Sequence, residues 1–158
     1  MSYTLNLAIQ WDENLGVLFT DRRQIRRWVQ SSLQRPADLT FRFVDEEEGL
    51  HLNHQYRKKK YATNVLTFLF TPPTPSNEKI DNPPSIADIV ICMPVVQREA
   101  QGQGKPLMHH LAHMIVHGTL HAQGYDHVKK NDAAVMEGLE IEILRRFKIP
   151  NPYEPAKK

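Results

Sequence analysis

Tyr3, Leu5, Leu7 and Ile9 alternate with Thr4, Asn6 and Ala8, the period of a strand with one face on a core. The period changes after Asp21. Ile25, Trp28, Val29 and Leu33 recur at the spacing of one helical face, and Asp21 is suited to cap that helix. Arg22, Arg23, Arg26 and Arg27 fall mostly away from this face and read as solvated. Leu39 to Val44 alternates again as a second strand, ended by the acidic run Asp45 to Glu48 and by Gly49. Leu50 to Tyr56 reads as a short helix ahead of the basic run Arg57 to Lys60, and Val65 to Phe70 as a strand of residues that suit a pleated surface.

Thr71 to Pro84 holds five of the eleven prolines, which excludes strand or helix interior. Neither flanking half has enough apolar residues for a core of its own. The expectation is a proline-rich surface loop, 71–84, within a single domain spanning 1–158. Ser85 to Met93 is apolar on both faces apart from Asp88, as in an interior strand covered on two sides. Helices are expected over Pro94 to Gln101, Pro106 to Ala122, and Asn131 to Phe147. The last shows Met136, Leu139, Ile143 and Phe147 on one face, and Asn131 and Asp132 both suit its cap. The fold class is therefore α+β (mixed α/β), with about four strands in a mixed sheet and about five helices packed on it.

Composition narrows this picture. The chain has 158 residues, with 41% hydrophobic and 24% charged, which excludes wholesale disorder. The longest nearly unbroken apolar run, Ile89 to Val96, is too short to span a bilayer. The first residues lack the basic and apolar regions of a secretory signal. Cys92, the single cysteine, excludes an intrachain disulfide and reads as a buried small hydrophobe. Together these point to the cytoplasm. The formal charge of +2 says nothing about partners. Residues 22 to 61, however, carry ten basic and five acidic side chains, which suits a polyanion. Eight histidines against one cysteine mean that a bound transition metal would be held by imidazoles.

The chemistry concentrates in His117-Gly118-Thr119-Leu120-His121-Ala122-Gln123-Gly124-Tyr125-Asp126-His127. His117 and His121 project from one helical face and can chelate one ion. Gly124 is suited to end the helix in a left-handed conformation, so that the chain returns with His127 as a third ligand. Three neutral histidines with an open fourth position is the layout of a catalytic zinc site, here at the end of a helix. His113 is placed in a supporting or substrate-facing role; for His109 and His110 an ordinary polar helix position weighs at least as much as such a role. Asp126 either orients a ligand ring or bonds the backbone of the turn. Glu137 and Glu140 share a helix face and read as exposed. The spacing also resembles H-E-x-x-H-x-x-G-x-x-H of zinc proteases, but Gly118 stands where their general base would be, which disfavours that mechanism.

Further segments join this motif: Leu52-Asn53-His54-Gln55-Tyr56-Arg57, Thr63-Asn64-Val65-Leu66-Thr67-Phe68, Ala87-Asp88-Ile89, Arg98-Glu99-Ala100, and Met136-Glu137 with Glu140. With them the sequence resembles the YbeY family of bacterial rRNA-maturation endoribonucleases over nearly the whole chain after the first helix. The family motif H-G-x-L-H-x-x-G-Y-D-H is intact. Ala87 replaces a usual glycine, and Lys59-Lys60 a usual acidic residue. The resemblance implies a single-strand-specific endoribonuclease with one zinc ion per chain on His117, His121 and His127, and a functional role for Arg57. It implies action in small-subunit rRNA 3′-end maturation and late ribosome quality control, with ribosomal proteins as partners and no expected DNA or membrane target.

In this reading Arg57 and His117 are catalytic. Arg57 can hold the charge that gathers on a phosphodiester. Tyr56 can stack an unpaired base, while Lys58 and Lys59 either follow the RNA backbone or belong to a solvated loop. The alternatives are a zinc hydrolase of peptides or esters, and a ribosome-associated RNA-binding module braced by zinc.

Overall fold

The computed structural model describes residues 3–16, 20–57, 63–70, 84–126 and 129–154, with the side chain of residue 57 excepted. The strands are β1 (Leu5–Trp11), β2 (Ala37–Val44), β3 (Val65–Leu69) and β4 (Ser85–Cys92), in sheet order β1-β2-β4-β3. β1 and β4 run parallel to β2, and β3 runs antiparallel to β4. The helices are α1 (Arg22–Ser31), α2 (Glu46–Arg57), α3 (Met93–Gln103), α4 (Leu107–Ala122) and α5 (Lys130–Arg146). The expected mixed α+β domain is thus present. The proline-rich loop expected over 71–84 falls, up to residue 83, outside the described residues.

Local chemistry sets the helix starts. The Asp21 carboxylate accepts from the Gln24 amide at 2.7 Å, and α1 buries Ile25, Trp28 and Val29. Arg22 and Arg26 donate to the Ile9 and Leu5 carbonyls at 3.1 Å, covering backbone along β1 at the sheet edge. α2 starts earlier than the apolar pattern suggests. The acidic run that reads as a strand stop is its first turn: Asp45 accepts from the Glu48 amide at 2.9 Å, and Glu46, Glu47 and Glu48 lie at the positive end of the helix dipole. α5 starts at Lys130, so Asp132 lies in its first turn and is not its cap.

The sheet has two unequal faces. Leu39, Phe41, Phe43, Ala87, Ile89 and Ile91 join the main core with residues of α1 and α4. On the other face Val44, Leu66, Val90 and Cys92 pack with Val95, Leu52 and Phe68. The two-sided cover expected for all of β4 holds only toward its C-terminal end, because Ile86 near its start is 37% exposed. Among the described residues no helix is long and apolar enough to cross a membrane.

α4 contacts α1, α3, α5, β3 and β4. Its close approach to the sheet needs Gly118. A Cβ there would stand 2.8 Å from Ile89 Cγ2 and 3.4 Å from Val65 Cγ1. Ile89 Cγ2 branches next to the backbone and cannot move aside without a rotamer change. Gly118→Ala should therefore cost about 1–3 kcal/mol in overpacking. Better helix propensity returns only roughly 1 kcal/mol. The expected outcome is a lower urea midpoint than wild type; an unchanged or higher midpoint would show that α4 can retreat from the sheet.

Candidate active site

The C-terminal end of α4 forms the floor of the site. The rings of His117 and His121 stack with centroids 6.4 Å apart and planes 10° apart. Beyond them the helix closes with two backbone bonds, Gly124 N–H to His121 O at 3.0 Å and Tyr125 N–H to Leu120 O at 3.2 Å. This termination requires a left-handed residue, and Gly124 supplies it with φ of 100°. The turn is anchored by Gln123, whose side chain accepts from the Gln34 amide at 2.6 Å and donates to the Ser32 carbonyl at 2.9 Å. It also carries the Tyr125 carbonyl to His121, which donates from Nδ1 at 2.8 Å.

His117 is fixed from another side. Glu140 of α5 is completely buried. Its Oε1 accepts from His113 Nε2 at 2.5 Å and from the Tyr153 hydroxyl at 2.7 Å, while Oε2 faces His117 Nδ1 at 3.4 Å. Burial by itself raises the Glu140 pKa, but the donors on His113 and His117 reverse this and bring it down to about 2. The carboxylate is ionised at neutral pH. Burial lowers the pKa of His113 against the opposing pull of Glu140, so this ring serves as a neutral donor. Burial, then the carboxylate, raises the pKa of Tyr153, which keeps its proton.

These bonds define the ring tautomers. A carbonyl and a carboxylate only accept, so His121 and His117 both carry the proton on Nδ1. In the neutral form of each ring Nε2 is then the nitrogen with the lone pair. Metal-ligating histidines characteristically show this pattern, with the second nitrogen donating to an oxygen. His113, His117 and Glu140 also each offer a donor atom within 4.8 Å of the others, a set that could hold a metal ion. In that set, however, Glu140 Oε1 and His113 Nε2 are already bonded to each other.

A cleft of about 840 Å³ opens above α4, with His113, His117, His121, Asp126, Thr67 and Tyr56 among its lining. Thr67 faces the helix side because it pairs with Ile89 in the antiparallel β3–β4 register. Tyr56 is 59% exposed and meets Phe68 edge-on at 5.0 Å. The structure thus brings Tyr56, His113, His117, His121 and Asp126 to one cleft. Arg57 ends α2, and its side chain lies outside the described residues, as do Lys58, Lys59 and His127.

Sequence reasoning missed Glu140, expected at the surface, and Tyr153. A signal for Glu140 was present: it lies one turn after Met136 and one before Ile143 and Leu144, all buried. His110 is also buried, which favours a supporting role over that of an ordinary polar helix residue. It donates from Nε2 to Glu99 at 3.0 Å. Glu99 in turn accepts from Asn64 Nδ2 at 3.1 Å, and Asn64 Oδ1 accepts from the Val65 amide at 2.7 Å. This chain of bonds fixes the start of β3 at the cleft rim.

The family profile described as Endoribonuclease YbeY matches residues 17–148. The chain belongs to the YbeY family. An "Endoribonuclease YbeY" of Thiobacillus denitrificans is 50% identical over 153 residues, covering 97% of this chain and 99% of its own length. A YbeY relative so named from Ralstonia nicotianae is 47% identical over 154 residues, covering 95% and 79%. The solution structure of a Thermotoga maritima protein aligns over 98% of this chain and 100% of its own, with a TM-score of 0.55 and 20% identity. That likeness shows a shared fold.

The rim of this YbeY cleft has a pH signature. The bond from His110, opposed by burial and aided by Asn64, holds the Glu99 carboxyl below its usual range. A carboxyl with a lowered folded pKa contributes stability at neutral pH, which is lost as the pH falls through the ordinary carboxylate range toward the lowered value. Urea unfolding at a series of pH values should show Glu99→Gln losing less stability on acidification than wild type. Parallel pH curves would remove Glu99 from the account.

Proposed function

We propose that the protein is a zinc-dependent endoribonuclease that cleaves single-stranded RNA. It acts in small-subunit rRNA 3′-end maturation and late-stage ribosome quality control, in the cytoplasm, with the ribosome and its proteins as partners. The observation that carries this reading is the stacked His117–His121 pair, each ring with its Nδ1 proton directed to an oxygen, on the floor of a cleft in a YbeY chain.

His117, His121 and His127 would hold one zinc ion. In an all-imidazole site such an ion supplies Lewis acidity toward a phosphoryl oxygen and lowers the pKa of water to about 7. The chain's own residues bind and orient the substrate. Arg57 offers a planar fork of donors to the charge that develops on the phosphodiester, and Arg57 and His117 are the residues assigned to catalysis. Tyr56 presents an exposed ring for an unpaired base, with Lys58 and Lys59 following the backbone. His113 supports the site through Glu140, and Asp126 lies beside the third ligand. Peptide hydrolysis is a poorer fit. The position where zinc proteases carry their base is Gly118, whose Cβ direction meets Ile89 in the sheet and not the cleft.

Metal analysis combined with a single-stranded RNA assay tests this. Wild type should carry zinc and cleave. His121→Ala should lose both. Arg57→Glu should stay folded and metal-loaded while cleavage falls on the order of 10²-fold or more, the scale for losing one transition-state donor. Cleavage that survives His121→Ala, or a wild type that binds no metal, would overturn the proposal.

A further inference from the structure

Glu140 poses a problem of its own. A buried carboxylate is costly, and an apolar residue of similar size in its stripe would pack α5 on α4 without that cost. Three donors nevertheless converge on it. Two come from α4, His113 and His117, and the third from Tyr153 in the segment after α5.

That segment is itself held in place. α5 ends with Ile149 N–H bonding Leu144 O at 3.1 Å and with Lys148 in a left-handed conformation, φ 62°. A side chain at this left-handed position is strained, so the turn is specified by its surroundings. The chain then passes the turn between α3 and α4, where Lys105 Nζ donates to the Pro152 carbonyl at 2.6 Å. The Tyr153 amide donates to Asn151 Oδ1 at 2.9 Å. The Tyr153 ring meets His113 edge-on at 5.4 Å.

The two carboxylate oxygens are used differently. Oε1 takes both His113 and Tyr153, whereas Oε2 is directed at His117. Holding Oε1 with two donors sets the rotamer of the carboxylate. The other oxygen is presented to the histidine.

We propose that Glu140, clamped by His113 and Tyr153, is a positioning residue that orients the His117 imidazole and makes its Nε2 a stronger ligand. The inference rests on the reading that His117 and His121 hold the metal. Its physical basis is that a carboxylate accepting the Nδ1 proton fixes the ring tautomer and pushes electron density toward Nε2. Tyr153 acts one step further out, by setting the rotamer of the carboxylate.

The test uses the full chain, with competitive Zn²⁺ titration against a chelating dye, the visible spectrum of the Co²⁺-substituted protein, and circular dichroism of the metal-free protein. Glu140→Gln should keep the fold, bind Zn²⁺ about 10–100-fold more weakly and alter the Co²⁺ bands, the scale for outer partners of metal ligands. Its kcat for RNA cleavage should fall with KM little changed. Tyr153→Phe should move affinity and spectrum in the same direction by less.

Wild-type affinity and spectrum in Glu140→Gln, with metal lost in His121→Ala, would refute the positioning role and leave the metal reading intact. Undiminished affinity in His121→Ala would refute the metal reading itself, and this inference with it. Metal lost in Glu140→Gln but kept in His121→Ala would make Glu140 a ligand alongside His113, which also overturns the proposal. Should Glu140→Gln fail to fold, Tyr153→Phe carries the test: an unchanged affinity and spectrum there would refute the clamp.

Discussion

The contact between α4 and the sheet at Gly118 fixes the position of nearly everything at the site. Without a side chain there, the helix comes down onto Ile89 and Val65. α1, α3 and α5 then pack around it. A helix enclosed in this way cannot slide or roll without opening cavities on several sides, because protein interiors are close-packed. Its histidines are therefore presented at set heights above β3, whose helix-facing residues become the wall of the cleft. The position that zinc proteases use for their general base is given up here to packing.

A helix so deeply buried can carry polar side chains only if they are satisfied. Two buried or part-buried carboxylates, one on each neighbouring helix, each meet ring nitrogens along a single stripe of α4. Glu140 on α5 takes His113 and His117, and Glu99 on α3 takes His110. The surplus of histidine acquires an explanation from these bonds. His110 and His113 are donors within the frame, His51 and His54 lie exposed on α2, and His117 and His121 face the cleft. Each acid also cross-links separate elements. Glu99 ties α3 to α4 and, through Asn64, to the edge strand β3. Glu140 ties α5 to α4 and to the segment ending at Tyr153. The rigidity of the cleft is distributed over these cross-links.

Periodicity was sufficient for the order and type of the main elements, because each exposes one consistently apolar face. It was less informative where polar residues do structural work. The acidic residues 45–48 look like a strand stop, yet they begin α2, since carboxylates favour the amide end of a helix. Glu140 looks like a surface residue when only charge is considered, although it occupies the same stripe as Met136 and Ile143. A residue type alone does not reveal whether donors await it on another helix.

Local pattern was enough for about four strands and about five helices, the spacing that places His117 and His121 on one face, the glycine that turns the chain after them, and the resemblance to the YbeY family. Those properties depend on neighbours within a few residues or on a continuous motif. It took the packed fold to show that His117 meets Glu140, that Tyr153 bonds the same carboxylate, and that Gly118 is needed for helix-to-sheet contact. Apolar periodicity records which side of an element avoids water. It does not record what that side meets, and hydrogen bonds between distant elements form only once those meetings are settled.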